Sequence, residues 1–157
     1  MHTAYIGLGS NLNQPVVQLN QALEALANLP NTILLASSSF YTSPPLDGSD
    51  QPDYVNAVAK IKTALEALEL LAALLKTEEK QGRVRDGKRW QARTLDLDLL
   101  LFDQLVINTA SLILPHPGIL FRAFVIYPLL ELDENLRLPG GTPLKIQISH
   151  LKSPNLQ

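Results

Sequence analysis

The sequence contains no cysteine, so disulfide bonds and thiolate metal ligands are excluded. It also lacks an excess of basic residues: the net charge of −2 argues against a general nucleic-acid binder. No apolar run is long enough to span a membrane, because the Leu- and Ala-rich residues 64–75 include Glu66 and Glu69. Residues 1–5 lack the charged and apolar regions of a signal peptide. We therefore expect a cytoplasmic monomer that binds neither membranes nor nucleic acids.

The abundant residue types indicate a globular chain. Hydrophobic residues make up 46% of the 157 residues and charged residues 18%, which is typical of a folded protein and not of a disordered one. A chain of this length can bury a sizeable core within one unit. We therefore expect residues 1–157 to form a single domain.

The most informative stretch is residues 93–102, in which leucine and aspartate alternate. Successive side chains of a β-strand lie on opposite faces, so the leucines at odd positions 95–101 are expected on one face. Asp96 and Asp98 then share the other face, with Cα atoms roughly 6.5–7 Å apart. Two carboxylates at this spacing can converge on hard cations, and Mg²⁺ takes one or two protein carboxylates together with substrate phosphates. The pattern predicts a magnesium site.

A simpler interpretation is that Asp96 and Asp98 lie on the solvated face of a half-buried strand. Two features favour a functional pair. The same face becomes apolar at Leu100 and Phe102, so both faces of the strand are expected to be covered, where unpaired carboxylates are costly. Cationic and aromatic side chains of the kind that bind polyphosphate also crowd just upstream, namely Arg83, Arg85, Lys88, Arg89, Trp90 and Arg93.

The remaining pattern predicts an ordered series of strands and helices. Residues 54–61 form a strand in which Asn56 is out of place unless its amide meets a ligand or an edge, and the long loop 42–52 before it is a functional candidate. Gly7 and Gly9 are interpreted as a tight strand-to-helix turn in which the backbone can approach a ligand. Strands are expected at 4–8, 32–41, 54–61 and 95–102, and helices at 15–29 and 65–80, the second with Leu68, Leu71, Ala72 and Leu75 as its buried stripe.

The C-terminal part predicts less regular structure. Residues 105–108 are expected to pair back onto the aspartate strand as a hairpin, and residues 118–132 to form a helix interrupted at Pro128. The whole order corresponds to the α+β, ferredoxin-like βαββαβ plan, an antiparallel sheet with helices on one face. Because both faces of the last strand are expected to be covered, the C-terminal helices form a third layer in this prediction.

Five motifs in order resemble the 6-hydroxymethyl-7,8-dihydropterin pyrophosphokinase family over nearly the whole chain. They are YIGLGSNL at 5–12, SSFYTSPPL at 38–46, DQPDYVNA at 50–57, QGRVR at 81–85 and RWQARTLDLD at 89–98. The resemblance implies transfer of pyrophosphate from ATP to the hydroxymethyl group of a reduced pterin in folate biosynthesis, with release of AMP. It also implies two Mg²⁺ ions held by Asp96 and Asp98.

The resemblance carries over further residues one by one. The catalytic set it implies is Arg83, Trp90, Arg93, Asp96 and Asp98, with the two arginines closing on the phosphates and Trp90 sealing the site as part of a lid. The implied pterin-binding residues are Ser43, Pro44, Leu46, Tyr54, Asn56, Trp90 and Phe124. The implied ATP-binding residues are Glu78, Arg85, Leu99, His116 and Arg122. Without the resemblance, Tyr54 and Phe124 fit equally well in a core, and His116 in a surface turn.

The chain departs from the family pattern at several positions. Gln91 and Ala92 stand where the family usually has Gly-Pro, which affects the expected flexibility of the lid. The other departures concern the ATP site and are Leu75, Asp86, Ser111 and Ile113. None of them touches the carboxylate pair.

Two other functions fit parts of the sequence. A metal-dependent nucleotidyltransferase using Gly9 and Ser10 would release pyrophosphate, whereas the family reaction releases AMP; its two motifs are normally close in sequence, and here they are far apart. A non-enzymatic ferredoxin-like module that binds a ligand or RNA leaves the carboxylate pair unexplained.

Overall fold

A computed structural model describes residues 1–45, 48, 50–82, 95–119, 121–150 and 155–156 of the chain. The strands are β1 (His2–Ser10), β2 (Thr32–Ser37), β3 (Tyr41–Ser43), β4 (Tyr54–Thr63), β5 (Asp96–Phe102), β6 (Ile107–Asn108), β7 (Ile113–Leu114) and β8 (Asn155–Leu156). The helices are α1 (Pro15–Ala27), α2 (Ala67–Lys80), α3 (Ala123–Leu132) and a 3₁₀ helix at Leu144–His150. No helix in this described part is long and apolar enough to cross a membrane.

The main sheet has the order β5-β1-β4, after which both β2 and β3 pair with β4 and β8 pairs with β3. Every one of these pairs is antiparallel. With β2 and β3 counted as one interrupted strand, this is the βαββαβ order in which the first and third strands are central. The predicted α+β, ferredoxin-like fold is confirmed.

Helices cover both faces of the sheet. One core cluster joins α1 and α2 to the first face, and its fully buried members include Leu19, Leu70 and Leu74. The second cluster joins α3 and the 3₁₀ helix to the opposite face through Leu129 and Leu144. The predicted third layer is therefore present, and it leaves the other end of that second face for the site.

The predicted strand at 32–41 is two strands, β2 and β3. Between them Ser38 makes a two-way bond with Val58 of β4: its N–H donates to the Val58 carbonyl (2.8 Å), and its hydroxyl accepts from the Val58 N–H (2.9 Å). Within β2 the register also shifts between Leu34 and Ala36. These breaks let β3 carry Ser43 to the site as a separate short strand.

The strict alternation predicted for residues 95–102 holds only as far as Leu100. Ile6 pairs with Leu99 and Tyr5 with Leu101, so Leu100 is an extra residue in β5. A bulge of this kind turns the later side chains of the strand to the opposite face. Leu101 therefore joins the α3 core and Phe102 the α1–α2 core, the reverse of the prediction.

Two further sequence predictions are wrong. Residues 107–108 pair with β7 as a separate two-stranded sheet and not with β5. The predicted helix at 118–132 begins only at Ala123, and Pro128 lies inside it without ending it. Proline has no N–H to donate, so the helix lacks one backbone bond at Pro128, and the apolar packing of buried Pro128 and Leu129 offsets that loss.

The buried stripe of α2 is also offset from the prediction. Its buried residues are Ala67, Leu70, Leu74, Thr77 and Glu78. Leu68 is 60% exposed and Leu75 36% exposed, Ala72 is exposed, and only Leu71 is partly buried. The leucines come in adjacent pairs, so both phases fit a helical period, and packing on the sheet selects one.

Leu74→Ala is expected to lower the free energy of unfolding by about 3 kcal/mol, because it leaves a cavity in the core. The matched change Leu68→Ala in the same helix should alter it by no more than about 0.5 kcal/mol, because that side chain is mostly exposed. Urea denaturation measures both. Equal losses of unfolding free energy in the two variants would indicate that Leu68 is buried, as the sequence predicted.

Candidate active site

Two glycines form the floor of the site. In β1, Gly9 pairs with Asn56 on one side and Asp96 on the other, and Gly7 pairs with Val58 and Asp98. Paired residues of an antiparallel sheet point to the same face. The missing side chains therefore leave an open lane between the amide of β4 and the carboxylates of β5. Gly7 and Gly9 lie inside a strand, so their interpretation as a tight turn is wrong.

The two glycines differ in how much room they have. A Cβ placed on Gly9 would lie 3.2 Å from Asn56 Oδ1, which is closer than ordinary contact, whereas one on Gly7 would lie 3.5 Å from the Leu100 side chain. Gly9 is thus the tighter position, and its hydrogen lets the amide oxygen of Asn56 lie over the strand.

Gly9→Ala is expected to weaken binding of the pterin implied by the family resemblance about tenfold, since the new methyl must displace the Asn56 amide. Gly7→Ala places the same methyl two residues away, and the expected loss is smaller. Titration of each variant with 6-hydroxymethylpterin, followed by its fluorescence, gives the two dissociation constants. An equal or larger loss in Gly7→Ala would contradict the role given to Gly9.

The floor opens into a cavity of about 290 Å³. Strand β3 and the turn after it form one wall, α3 the opposite wall, and β5 the end. Its lining residues are Gly7, Leu8, Gly9, Ser43, Pro44, Pro45, Gln51, Tyr54, Asn56, Ala57, Asp96, Asp98, Leu100, His116, Arg122, Phe124 and Val125. Apolar and aromatic walls with a few polar groups are typical of a site for a flat small molecule.

Asn56 is the buried polar group of this cavity. It is 5% exposed, and its Nδ2 donates to Ser43 Oγ at 2.7 Å. That bond assigns the orientation of the amide and leaves Oδ1 over Gly9. Of the two explanations offered for an asparagine in this strand, a ligand or a sheet edge, the structure favours the first, because the Asn56 amide lines the cavity.

The two aspartates point into the same cavity. Both are partly exposed, and the Asp98 side chain keeps 49% of its surface accessible. His116 Nε2 lies 3.9 Å from Asp98 Oδ1, too far for a hydrogen bond. The Asp98 carboxylate is therefore accessible from the cavity, and the solvated-face interpretation stays an alternative for both aspartates.

This arrangement fits magnesium. No group of three or more His, Cys, Asp or Glu side chains that could hold a metal ion occurs within the described ranges. A complete protein cage is thus not found there, and two carboxylates remain. Mg²⁺ bound to nucleotides typically has one or two carboxylates and completes its octahedron with phosphates and water.

His116 is held in a defined orientation. Its backbone N–H donates to the Leu100 carbonyl (3.0 Å), and its Nδ1 accepts from the Gly118 N–H (3.0 Å). The proton of the neutral ring is therefore on Nε2, the nitrogen nearer Asp98. Burial lowers the pKa of His116, with a further lowering from Arg122, although Asp98 opposes both. The ring is thus a neutral donor at neutral pH.

A second cavity of about 320 Å³ shares Asp98 and His116 with the first. It is an open depression bordered by α2, β5 and the β6–β7 hairpin, and its lining residues are Leu71, Leu75, Glu78, Leu97, Asp98, Leu99, Ala110, Ser111, Leu112, Ile113, His116 and Pro117. Asp98 and His116 line both cavities. Two ligands could therefore meet at this pair of side chains.

The structure separates the predicted ATP-binding residues. Glu78 and Leu99 line the second cavity, but Glu78 is 1% exposed and its Oε2 accepts from the Leu97 N–H at 2.7 Å. Arg122 lines the first cavity, where its guanidinium packs against Gly118. Leu46, Arg83, Arg85, Trp90 and Arg93, together with Asp86, Gln91 and Ala92, lie outside the described residues.

Sequence reasoning expected the backbone at Gly7 and Gly9 to approach a ligand, but it missed that the two glycines form the cavity floor from inside a strand. The spacing could have indicated it: glycines at positions i and i+2 of a strand leave one face of that strand without side chains. In the same way, Asp96 and Asp98 share one face of the strand that contains them. Pro45 and Gln51 were also missed, and no pattern distinguishes them from other loop residues.

Comparisons with known proteins agree with this geometry. The family model for 7,8-dihydro-6-hydroxymethylpterin-pyrophosphokinase (HPPK) matches residues 5–134. A 2-amino-4-hydroxy-6-hydroxymethyldihydropteridine pyrophosphokinase of Haemophilus influenzae is 55% identical over 90% of this chain and 88% of its own length. The protein of the same name from Pseudomonas aeruginosa is 50% identical over 89% of this chain and 86% of its own.

Solved structures support the fold. The HPPK-DHPS protein of Plasmodium falciparum aligns with a TM-score of 0.74 at 12% identity, over 95% of this chain and 42% of that chain. At that identity the likeness concerns the fold alone. The family match and the two relatives carry the assignment: the chain belongs to the 7,8-dihydro-6-hydroxymethylpterin-pyrophosphokinase family.

Proposed function

We propose that this chain transfers pyrophosphate from ATP to the hydroxymethyl group of 6-hydroxymethyl-7,8-dihydropterin and releases AMP, a reaction of folate biosynthesis. This is the activity of the family to which it belongs. The observation that carries the proposal is that Asp98 and His116 line both cavities. A reaction between two bound substrates needs this arrangement, because it brings the reacting atoms together without mixing the binding sites.

The pterin occupies the first cavity in this proposal. Its donor and acceptor edge meets the Asn56 amide, which Ser43 orients. Tyr54 and Phe124 line the cavity and offer aromatic faces to the ring system. Pro44 stiffens the wall beside Ser43. Bound in this way, the hydroxymethyl group would extend along the glycine lane toward Asp96 and Asp98.

ATP occupies the second cavity, with its base between α2 and the β6–β7 hairpin. Leu71, Leu75 and Leu99 supply apolar contact there. Three of the departures from the family pattern, Leu75, Ser111 and Ile113, also line this cavity, so their effect should be on ATP affinity. The triphosphate would then run toward His116, whose Nε2–H can donate to a phosphate oxygen, and toward the cationic Arg122.

Asp96 and Asp98 would hold two magnesium ions. When bound, magnesium neutralises polyphosphate charge and polarises the phosphorus under attack. In the reaction, the hydroxymethyl oxygen forms a bond to the β-phosphorus of ATP and its proton passes to solvent. The bond from that phosphorus to the α–β bridging oxygen breaks, and AMP leaves with that oxygen and the electron pair of the broken bond. The protein's own contribution is positioning: cavity walls align the two substrates, and His116 and Arg122 stabilise charge on the phosphates.

Leu46, Arg83, Arg85, Trp90 and Arg93 keep the roles implied by the family resemblance. In this proposal Leu46 and Trp90 contact the pterin, and the arginines contact the triphosphate. We also propose that the chain acts as a monomer in the cytoplasm, where its substrate ATP is made and used.

The direct test is incubation with ATP, Mg²⁺ and 6-hydroxymethyl-7,8-dihydropterin, followed by mass spectrometry. The expected products are AMP and the pterin diphosphate in equal amounts, formed only when all three are present. Release of inorganic pyrophosphate would indicate the nucleotidyltransferase alternative, and binding without turnover would indicate a ligand-binding module. Either result would overturn the proposal.

A further inference from the structure

We propose that Glu131 is a positioning residue for the pterin: it ties α3 to β3 and thereby helps set the distance between the two walls of the first cavity. The inference rests on the proposed function, because it concerns the site that binds the pterin. Glu131 itself does not line that cavity.

Both carboxylate oxygens of Glu131 are engaged by one short segment of chain. Oε2 accepts from the backbone N–H and from the hydroxyl of Ser39, each at 2.8 Å. Oε1 accepts from Tyr41 Oη at 2.5 Å. A carboxylate that accepts three hydrogen bonds from two residues fixes direction as well as distance, and bonds to charged groups are the stronger kind. Here it joins α3 to the residues at the start of β3.

Each end of this contact continues into the pterin cavity. On α3, Glu131 and Phe124 are seven residues apart, which places them on the same helix face about 10.5 Å from each other. On β3, Tyr41 and Ser43 are two residues apart and share a face. Tyr41 pairs with Asn56, and Ser43 orients the Asn56 amide. The hydrogen bonds of Glu131 therefore join α3 and β3 at the ends of these two elements that lie away from the cavity.

Strand β3 has few backbone bonds of its own, so an added contact to α3 can fix its position more closely. It is only three residues long and is separated from β2 by the turn at Ser38. Its ladder partners are β4 on one side and the two residues of β8 on the other. These bonds hold β3 within the sheet. Core packing of α3 on β4 sets the general distance between helix and sheet, and the Glu131 contact adds a direct hydrogen-bonded link from α3 to the start of β3.

The ionisation of the pair is consistent with this role. Burial raises the pKa of Glu131, but the hydrogen bonds from Tyr41 and Ser39 outweigh it and lower the pKa below its ordinary value. Burial, helped by the hydrogen bond to Glu131, raises the pKa of Tyr41. At neutral pH Glu131 is therefore an acceptor and Tyr41 a donor, as the contact requires.

The test compares Glu131→Ala with Glu134→Ala, an exposed glutamate three residues further along the chain. Steady-state kinetics with each substrate varied in turn gives both KM values and kcat. For Glu131→Ala we expect the pterin KM to rise about tenfold, with the ATP KM and kcat within about twofold of the parent. Glu134→Ala should change none of them. Glu131→Gln keeps one acceptor oxygen and should restore part of the loss.

Tyr41→Phe removes one of the three donors while keeping the ring, so it should fold even if Glu131→Ala does not. We expect the pterin KM to rise about threefold. The double variant with Glu131→Ala should have the same pterin KM as Glu131→Ala alone, because both changes remove the same contact. An unchanged pterin KM in a folded Glu131→Ala variant, or equal increases in both KM values, would overturn the inference.

Failure of the proposed function is distinguishable from this. It would show as no AMP formation by the parent protein. If the parent then still binds 6-hydroxymethylpterin, its fluorescence titration repeats the comparison: tenfold weaker binding by Glu131→Ala supports the inference, and equal binding overturns it.

Discussion

Asp98→Asn is expected to reduce kcat by about three orders of magnitude or more while leaving the fold unchanged. Asp98 lines both cavities and half of its side chain is accessible, so it is the described group best placed to hold a metal ion between the two substrates. Removing its charge loses the charge stabilisation that a metal ion supplies to phosphoryl transfer, which amounts to several kcal/mol, and about 1.4 kcal/mol corresponds to tenfold in rate. Asp96→Asn should act in the same direction.

The measurement is AMP formation at saturating ATP and pterin across a range of Mg²⁺ concentrations. Asp53→Asn is the matched control, since Asp53 is exposed and lines neither cavity, and it should retain parent activity. Circular dichroism and the unfolding midpoint report whether the fold is retained. A folded Asp98→Asn protein with Mg²⁺-dependent turnover near that of the parent would show that the carboxylate pair is not the metal site.

Asn56→Ala is expected to weaken pterin binding about 100-fold and to leave ATP binding almost unchanged. The amide is buried among groups that offer the pterin edge no equal replacement, and a site built to hydrogen-bond its ligand loses heavily when that partner is removed. Asn56 lines the first cavity and not the second, which is why the loss should be confined to one substrate. Isothermal titration with 6-hydroxymethylpterin and with a non-hydrolysable ATP analogue measures both.

Ser43→Ala gives a graded comparison. Its hydroxyl accepts from Asn56 Nδ2, so its loss leaves the amide in place but frees its orientation. We expect pterin binding to weaken about tenfold, so that the dissociation constant lies between those of the parent and of Asn56→Ala. If Asn56→Ala weakened both ligands equally, the amide would be supporting the fold and not reading the pterin.

Several parts of the structure could be predicted because they depend on local periodicity. The alternation from Leu95 to Asp98 places the carboxylates on one face whatever the neighbours are, and the helical spacing of Leu19 and Leu26 buries α1 in the same way. The order of strands and helices then limits the topology to few arrangements. Five motifs in sequence added the family, which the comparisons confirm.

Other parts could not be predicted, because local patterns fit more than one answer. The paired leucines of α2 suit two phases, and packing selected the one that buries Leu70 and Leu74. The bulge at Leu100 arises from how β5 pairs with β1, so no pattern within β5 alone exposes it. Gly7 and Gly9 resemble a turn until their neighbours are known to be Val58, Asn56 and the two aspartates.

The sequence by itself determined the fold class, the family and the shared face of Asp96 and Asp98, since each depends on residue order and spacing along the chain. Only the tertiary structure decided that Asp98 and His116 line both cavities and that Glu131 joins α3 to β3. These contacts join residues 18 positions apart in one case and 90 in the other. Contacts across such separations depend on how the layers pack, and the spacing of side chains within one element carries no information about that.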